Sequence, residues 1–133
     1  MKTAKVIIAA ILIYAGIVIA FESMIGIIQP EAGNTLIITT TGEDEVTNDR
    51  VLARLETDGH IYVAANHWPR AWYRQALANP NVQATIDGTK ATYTAVPIDG
   101  TEHRRVHIEN DPGVLFRILT CFPPRRILRL DPR

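Results

Sequence analysis

The densest group of side chains that could do chemistry lies between Asn66 and Arg74. This segment, Asn66-His67-Trp68-Pro69-Arg70-Ala71-Trp72-Tyr73-Arg74, holds two indoles, a phenol, an imidazole and two guanidiniums. Aromatic faces stack on flat heterocycles, and guanidiniums bind anionic groups. The set therefore suits a flat ring that carries an acidic tail. The residue types equally allow a structural role, in which Trp72 and Tyr73 pack the segment onto a core and the arginines stay in water.

Metal and nucleic-acid chemistry find less support. His103 and His107 are four residues apart and would share one face of a helix, but a closed zinc site needs more ligands than this pair. We therefore predict no metal site, and a solvated helix face shared with Arg104 and Arg105. The single Cys121 excludes an internal disulfide and a multi-cysteine zinc site within one chain. Lysine plus arginine equal aspartate plus glutamate at 14 each, so no basic face for nucleic acid is indicated.

The first thirty residues are typical of a membrane anchor. Val6 to Phe21 is apolar and uncharged, and the apolar character resumes from Met24 to Ile28 before Pro30 ends it. The first run alone makes a helix of about 24 Å, and its extension to Ile28 is long enough for a hydrocarbon core of about 30 Å. We predict an anchor domain over residues 1–30 that meets the lipid bilayer through residues 6–28.

Three other interpretations of this segment have less support in its sequence. A cleaved signal peptide would need a small-x-small pattern, which is missing around Ala20-Phe21-Glu22. A helix lying in the membrane interface would need a polar face. A core helix would need a larger domain than this one to bury it on all sides. Lys2 and Lys5 favour a cytoplasmic N-terminus, although the side of the membrane stays open.

Residues 31–133 contain two hairpin signals. Val51–Glu56 and His60–Ala65 flank Asp58-Gly59, and Val82–Ile86 and Thr89–Ile98 flank Asp87-Gly88. Asp-Gly supplies the positive φ angles that a tight hairpin turn needs.

Other elements complete the predicted domain. The β-branched Thr35–Thr41 predicts a strand, and Pro69–Leu77 predicts a helix inserted between the hairpins. Further on, a short helix from Thr101, a helix over Val114–Phe122 and a strand over Ile127–Leu130 are indicated. The result is a mainly β (α+β) domain of about six antiparallel strands with one inserted helix, which favours a small barrel.

Four short motifs resemble the deazaflavin-dependent nitroreductase family, over about residues 35–98. They are Thr39-Thr40-Thr41-Gly42, Val63-Ala64-Ala65-Asn66, Ala71-Trp72-Tyr73 and Ala78-Asn79-Pro80-Asn81-Val82. The resemblance implies a split β-barrel related to flavin reductases and pyridoxamine-phosphate oxidases. It also implies a homodimer.

The resemblance implies hydride transfer from a reduced deazaflavin coenzyme (coenzyme F-420) or FMN to a quinone-type or nitroaromatic acceptor. The implied cofactor-binding residues are Thr39, Thr40, Thr41 and Gly42 on the entry strand, with Asn66, His67, Trp72 and Tyr73 around the ring. The family's active-site tyrosines come from a later region, and no tyrosine follows Tyr93 in this chain. No catalytic residue is therefore assigned.

One loop departs from the family pattern. The loop that is basic in the family is Glu43-Asp44-Glu45-Val46 here, and its carboxylates would repel an anionic cofactor tail. Arg50 and Lys90 are the cations that would bind the tail in place of the family's basic loop. Two alternatives therefore stay open: a barrel that holds haem, flavin or lipid at the membrane without turnover, and a structural domain whose anchor pairs with other membrane proteins through Glu22 and Gly26.

Overall fold

The computed structural model describes residues 1–27, 34–65, 71–122 and 124–133. Four helices and seven strands lie within these ranges. In chain order they are α1 (Lys2–Ile27), β1 (Thr35–Thr41), β2 (Thr47–Ala53), β3 (Leu55–Thr57), β4 (His60–Ala65), α2 (Ala71–Ala78), β5 (Asn81–Ile86), β6 (Thr89–Pro97), α3 (Gly100–Glu109), α4 (Val114–Leu119) and β7 (Arg126–Pro132).

The strands form one antiparallel sheet in the order β2-β1-β5-β6-β7-β4-β3. Its edge strands β2 and β3 are separated in the chain by Arg54 alone. The chain therefore passes directly from one edge to the other, which requires the sheet to curl, and β2 also contacts β4. The predicted mainly β split barrel is confirmed as a curled half-barrel of seven strands.

The additional strand residues come from a segment whose polar character gives no strand signal. Thr41 pairs with Thr47 and Ile38 pairs with Arg50, so the chain re-enters the sheet directly after the acidic turn. The second predicted hairpin is confirmed. The first is confirmed only around its turn, where Leu55–Thr57 pair with β4; its predicted first half, Val51–Ala53, belongs to β2 and pairs with β1 at the opposite edge of the sheet. Asp58 and Gly59 have φ angles of 52° and 74°, and the second turn repeats these values closely. Positive φ at both central residues matches the right-handed twist of the flanking strands.

The core fills the concave side of the sheet and includes the first turn of α2. Leu36, Ile38, Val63 and Leu128 are among its buried members, and α2 covers them with Trp72 and Ala76. A second cluster lies between β4 and α3, where Tyr62 and Val106 meet Ile127. Helix α2 is thereby held beside the end of β1, where the sequence places its candidate site.

Helix α1 is long and apolar enough to cross a membrane over Lys2–Met24. An apolar stretch of 18 residues within it has no residue buried by the described chain, whereas Glu22 near its end is buried. One side of α1 meets α4: the Tyr14 hydroxyl donates to the carbonyl of Ile118 at 2.8 Å, and Phe21 lies edge-on to Phe116 at 5.9 Å. The predicted division at residues 30 and 31 lies outside the described residues and stays a prediction.

Candidate functional site

The end of β1 is tied to its neighbours by threonine hydroxyls. Thr39 Oγ1 donates to Asp49 Oδ1 on β2 at 2.6 Å, and the fully buried Thr40 Oγ1 donates to Gln75 Oε1 on α2 at 2.7 Å. Successive strand residues point to opposite faces of the sheet. Thr39 therefore bonds to the neighbouring strand, and Thr40 bonds to the helix on the other face. Strand β1 is thereby joined by side chains to β2 and to α2.

The acidic loop is a tight turn. The Gly42 amide donates to the carbonyl of Val46 at 2.9 Å, and the Val46 amide donates to Asp44 Oδ1 at 3.2 Å. A Cβ on Gly42 would stand 2.8 Å from Asp44 Oδ1, so a larger residue would displace that carboxylate. Glu45 takes a φ of 61°, which lets the chain reverse. The turn holds the Glu43 and Asp44 side chains at the rim of a cleft.

Helix α2 has two distinct faces. Trp72 and Ala76, four residues apart, are buried in the core. Ala71, Gln75 and Ala78 stand four and then three residues apart and face the cleft. Side chains at these spacings share one side of a helix. The alanines have small side chains, so this face of α2 leaves open space.

The cleft has a volume of about 410 Å³. It is lined by Thr41, Gly42, Glu43 and Asp44 on one wall and by Ala71, Arg74, Gln75 and Ala78 on the other. A second cavity of about 230 Å³ is lined by Asn48, Asp49, Arg50, Ala71, Trp72 and Gln75. The two share Ala71 and Gln75 and form one groove around the start of α2. We call this the α2 groove.

The α2 groove offers one well-oriented donor and two cations. Because Gln75 Oε1 accepts from Thr40, its amide nitrogen Nε2 is turned to the cleft, 3.7 Å from where a Cβ would stand on Gly42. No acceptor for this nitrogen is found among the described residues. Arg74 is exposed, with no ion pair inside the described ranges, and Arg50 lies at the other end. The groove can thus donate to a ring edge and hold an acidic group.

The groove brings together part of the residue set predicted from the sequence. Thr41 and Gly42 line the cleft, Arg50 lines the adjoining cavity, and Thr39 and Thr40 stand behind the wall as hydrogen-bond partners. Asn66 and His67 lie outside the described residues.

Trp72 and Tyr73 belong chiefly to the core. Trp72 is 6% exposed and meets Tyr73 edge-on at 5.9 Å, so packing is the role that its surroundings display, although its edge also lines the smaller cavity. Lys90 is remote from the groove, because it pairs with Thr85, which stands opposite Ile37. Ile37 is four residues, about 13 Å, along β1 from Thr41.

Sequence reasoning missed Gln75, Ala71 and Ala78. A signal for them was present in the helical spacing, which separates a face of Trp72 and Ala76 from a face of small and polar residues. That signal does not say which face meets a cleft, because the position of β1 beside α2 depends on the sheet order.

Another cavity, of about 310 Å³, lies between α3 and α4. It is lined by His103, His107, Pro112, Phe116, Arg117, Phe122 and Arg125. The predicted solvated face is wrong for the two histidines, which are half-buried with their rings stacked at 6.2 Å.

Arg125 holds both histidines of this cavity. His103 Nε2 is 3.0 Å from the Arg125 carbonyl, and Arg125 Nη1 is 3.1 Å from His107 Nδ1. Burial, reinforced by the Arg125 charge, lowers the pKa of His107 below its ordinary value. The lone pair of Nδ1 therefore stays available to the guanidinium at neutral pH. Among the described residues no group of three or more potential metal ligands occurs.

No protein-family model matches the chain, and no curated protein matches it by sequence. Solved structures do match. F420-H2 Dependent Reductase (FDR-A) aligns with a TM-score of 0.60 at 21% identity, covering 73% of this chain and 93% of that one. HutZ, the heme storage protein from Vibrio cholerae, aligns at 0.60 and 18%, covering 77% and 84%. A structure described as a domain-swapped dimer aligns at 0.59 and 20%, covering 73% and 79%.

These likenesses define the class of fold. The curled antiparallel half-barrel is the fold of a deazaflavin-dependent reductase, and a haem storage protein shares it. The resemblance drawn from the four sequence motifs is confirmed at the level of fold.

Proposed function

We propose that this chain is a membrane-anchored oxidoreductase that passes hydride from a reduced deazaflavin or flavin to a quinone-type or nitro-type acceptor. The observation that carries the proposal is the α2 groove, where the Gln75 amide donor faces an open cleft between two alanines. A flat heterocycle with acceptors along its edge matches this shape and polarity. The reductase that shares the fold supports the same choice.

Each groove residue has a role in this proposal. Ala71 and Ala78 leave room for the ring, and Gln75 Nε2 donates to a carbonyl or nitrogen on its edge. Arg74, on the wall opposite Glu43 and Asp44, and Arg50, in the adjoining cavity, attract the acidic tail. When bound, the reduced cofactor supplies the hydride, and the protein supplies position and shielding from water. A deazaflavin or FMN fits if its tail follows the arginines.

The apolar helix α1 supports a membrane location and hence an acceptor that partitions into lipid, such as a quinone. Within the described part of the chain, Lys2–Met24 is the one candidate span, and it supports a single-pass anchor through residues 6–28. The family resemblance and the domain-swapped dimer among the similar structures support a homodimer. A quinone dissolved in the bilayer would then reach the barrel without crossing bulk water.

Substitution of Gln75 tests the groove directly. Gln75→Glu keeps an oxygen to accept from Thr40 but replaces the groove-facing amide by a carboxylate. We expect at least about tenfold weaker binding of deazaflavin or FMN. The carboxylate accepts where the amide donated, and its negative charge repels the anionic cofactor. The affinity is measured by fluorescence titration of the full chain in detergent micelles. Gln83→Glu, the same chemical change at an exposed position on β5, is the matched control.

Equal affinities for Gln75→Glu and the wild type, with Gln83→Glu also unchanged, would contradict a cofactor site in this groove. Thermal unfolding of each variant shows whether the fold is intact. Quinone reduction by the wild-type chain with reduced deazaflavin then tests turnover. A chain truncated before residue 31 should lose reduction of a long-tailed quinone but keep that of a water-soluble one.

A second function is favoured by the acidic rim. The Glu43 and Asp44 carboxylates line the cleft and oppose a highly charged cofactor tail, which suits a barrel that holds flavin, haem or lipid without turnover. HutZ, a haem storage protein, shares the fold. Saturable cofactor binding with no quinone or nitro reduction would favour this carrier, and an absorption titration with haem would identify the haem form.

A further inference from the structure

Helix α4 exposes apolar side chains beside the candidate membrane helix. Val114, Leu115 and the following Phe122 are 63%, 69% and 62% exposed, and Ile118 is partly exposed as well. A cluster of large exposed apolar side chains is costly in water and marks a surface that meets an apolar phase. The same helix touches α1 through Phe116 and the Ile118 carbonyl.

The position of these contacts along α1 sets the depth of α4. Tyr14 lies nine residues after Lys5, the second of the two lysines that precede the apolar run, which is about 13 Å along the helix axis. Phe21 lies about 24 Å from Lys5. A hydrocarbon core is about 30 Å thick, so these two residues stand near its midplane and just below its far surface. An α4 in contact with both would lie within one leaflet.

Carbonyls near the C-terminal end of α4 have hydrogen-bond partners within the protein. In hydrocarbon every polar backbone group needs a partner within the protein. The Phe116 carbonyl accepts from the Thr120 amide and hydroxyl, and the Arg117 carbonyl accepts from the Phe122 amide at 2.8 Å. The Ile118 carbonyl accepts from both the Cys121 amide and the Tyr14 hydroxyl. Three of the last four carbonyls of α4, those of Phe116, Arg117 and Ile118, are thus bonded without water.

The one charge on α4 is neutralised locally. Arg117 Nη2 lies 3.2 Å from both carboxylate oxygens of Asp111, and Nε donates to the Gly113 carbonyl. The Gly113 amide also donates to Asp111 Oδ1 at 2.7 Å, so this carboxylate is held by both the backbone and Arg117. A long side chain with its charge paired at the start of the helix can reach the headgroup level.

We infer that α4, with Phe122, is embedded in the hydrocarbon of the leaflet next to the barrel, alongside α1, and that acyl chains cover Val114, Leu115 and Ile118. This inference rests on the proposed membrane anchor. The barrel then meets the bilayer at two points, which fixes its height and orientation relative to the membrane. A single helix linked to the barrel would leave both free.

Nitroxide labels at single cysteines test this placement. In a Cys121→Ser background, Leu115→Cys reports on α4, Leu12→Cys on α1, and Val46→Cys on the exposed β1–β2 turn as the aqueous reference. The full chain is reconstituted in vesicles of phosphatidylcholine and phosphatidylglycerol. Power saturation then compares the accessibility of each label to oxygen, which concentrates in lipid, and to a water-soluble nickel chelate. Val114→Cys repeats the α4 measurement.

We expect the oxygen-to-nickel accessibility ratio at Leu115→Cys and Val114→Cys to lie within threefold of that at Leu12→Cys and at least tenfold above that at Val46→Cys. If Leu12→Cys lies in lipid while both α4 labels resemble Val46→Cys, the inference is wrong and the anchor stands. If Leu12→Cys is also aqueous, the anchor and the inference both fall. Cofactor binding in the α2 groove, measured separately, is unaffected by either result.

Discussion

The buried hydroxyl of Thr40 donates a hydrogen bond to Gln75 Oε1 at 2.7 Å and so joins β1 to α2. The bond also orients the Gln75 amide, because with Oε1 occupied in the wall the nitrogen Nε2 turns toward Gly42 and the cleft. A contact at the edge of the core thus determines which polar group the α2 groove presents.

Thr40→Val should loosen this orientation. We expect the free energy of unfolding to fall by about 1 kcal/mol, because the Gln75 oxygen loses its donor. Cofactor affinity should fall severalfold, because the amide is no longer held. Thr40→Ser keeps the hydroxyl but loses a buried methyl, at a similar cost of about 1 kcal/mol. Calorimetry and fluorescence titration should show similar stabilities and different affinities, and an equal loss of affinity would contradict the orienting role.

The acidic rim should weaken the binding of anionic cofactors. Glu43→Gln and Asp44→Asn each remove a carboxylate, and Asp44→Asn keeps the oxygen that accepts from the Val46 amide. We expect FMN or deazaflavin affinity to rise about two- to fivefold for each change at low salt, with a smaller gain at high salt where charges are screened. Glu109→Gln, on α3, is the control. Unchanged affinity at low salt would place the acidic tail away from this rim.

A second polar network holds the other end of the barrel. Arg129, on β7, donates to both Glu102 oxygens and to both Asp131 oxygens, and the Tyr62 hydroxyl donates to Glu102 Oε1 at 2.9 Å. Hydrogen bonds from Arg129 are the main reason why the pKa values of Glu102 and Asp131 lie below their ordinary range. Burial, with the neighbouring Glu102 carboxylate, raises the pKa of Tyr62.

This network predicts a loss of stability in acid. A carboxylate with a lowered pKa in the folded state stabilises the protein above its ordinary pKa, which is 4.5 for Glu102. That contribution is lost as the pH falls from 4.5 through the lowered folded value. Glu102→Gln should therefore reduce stability by about 1–2 kcal/mol at neutral pH and flatten the dependence below pH 4.5. Denaturant unfolding at a series of pH values measures the stability at neutral pH and its dependence on pH in acid, with Glu56→Gln as the control. If Glu102→Gln leaves the pH dependence of stability in acid unchanged, the network does not contribute as proposed.

Local chemistry allowed much of the fold to be predicted. The β-branched Thr35–Thr41 forms β1 with the predicted bounds, and both Asp-Gly turns form where expected. These features depend on side-chain branching and on φ angles, which neighbouring residues decide. The apolar α1 follows from composition in the same way. The strand residues Thr47–Arg50 escaped prediction because their pairing with β1, and not their own propensity, makes them a strand.

The tertiary structure alone decided what the functional candidates face. The sequence allowed Trp72 to be either a ring platform or a core residue, and the order of the strands placed it in the core. The same packing turned Gln75 toward an open groove and tied His103 and His107 to Arg125, about twenty residues away. It also set α4 against Tyr14 and Phe21. These outcomes depend on contacts between segments that are distant in the chain. The order of residue types along the sequence does not specify those contacts.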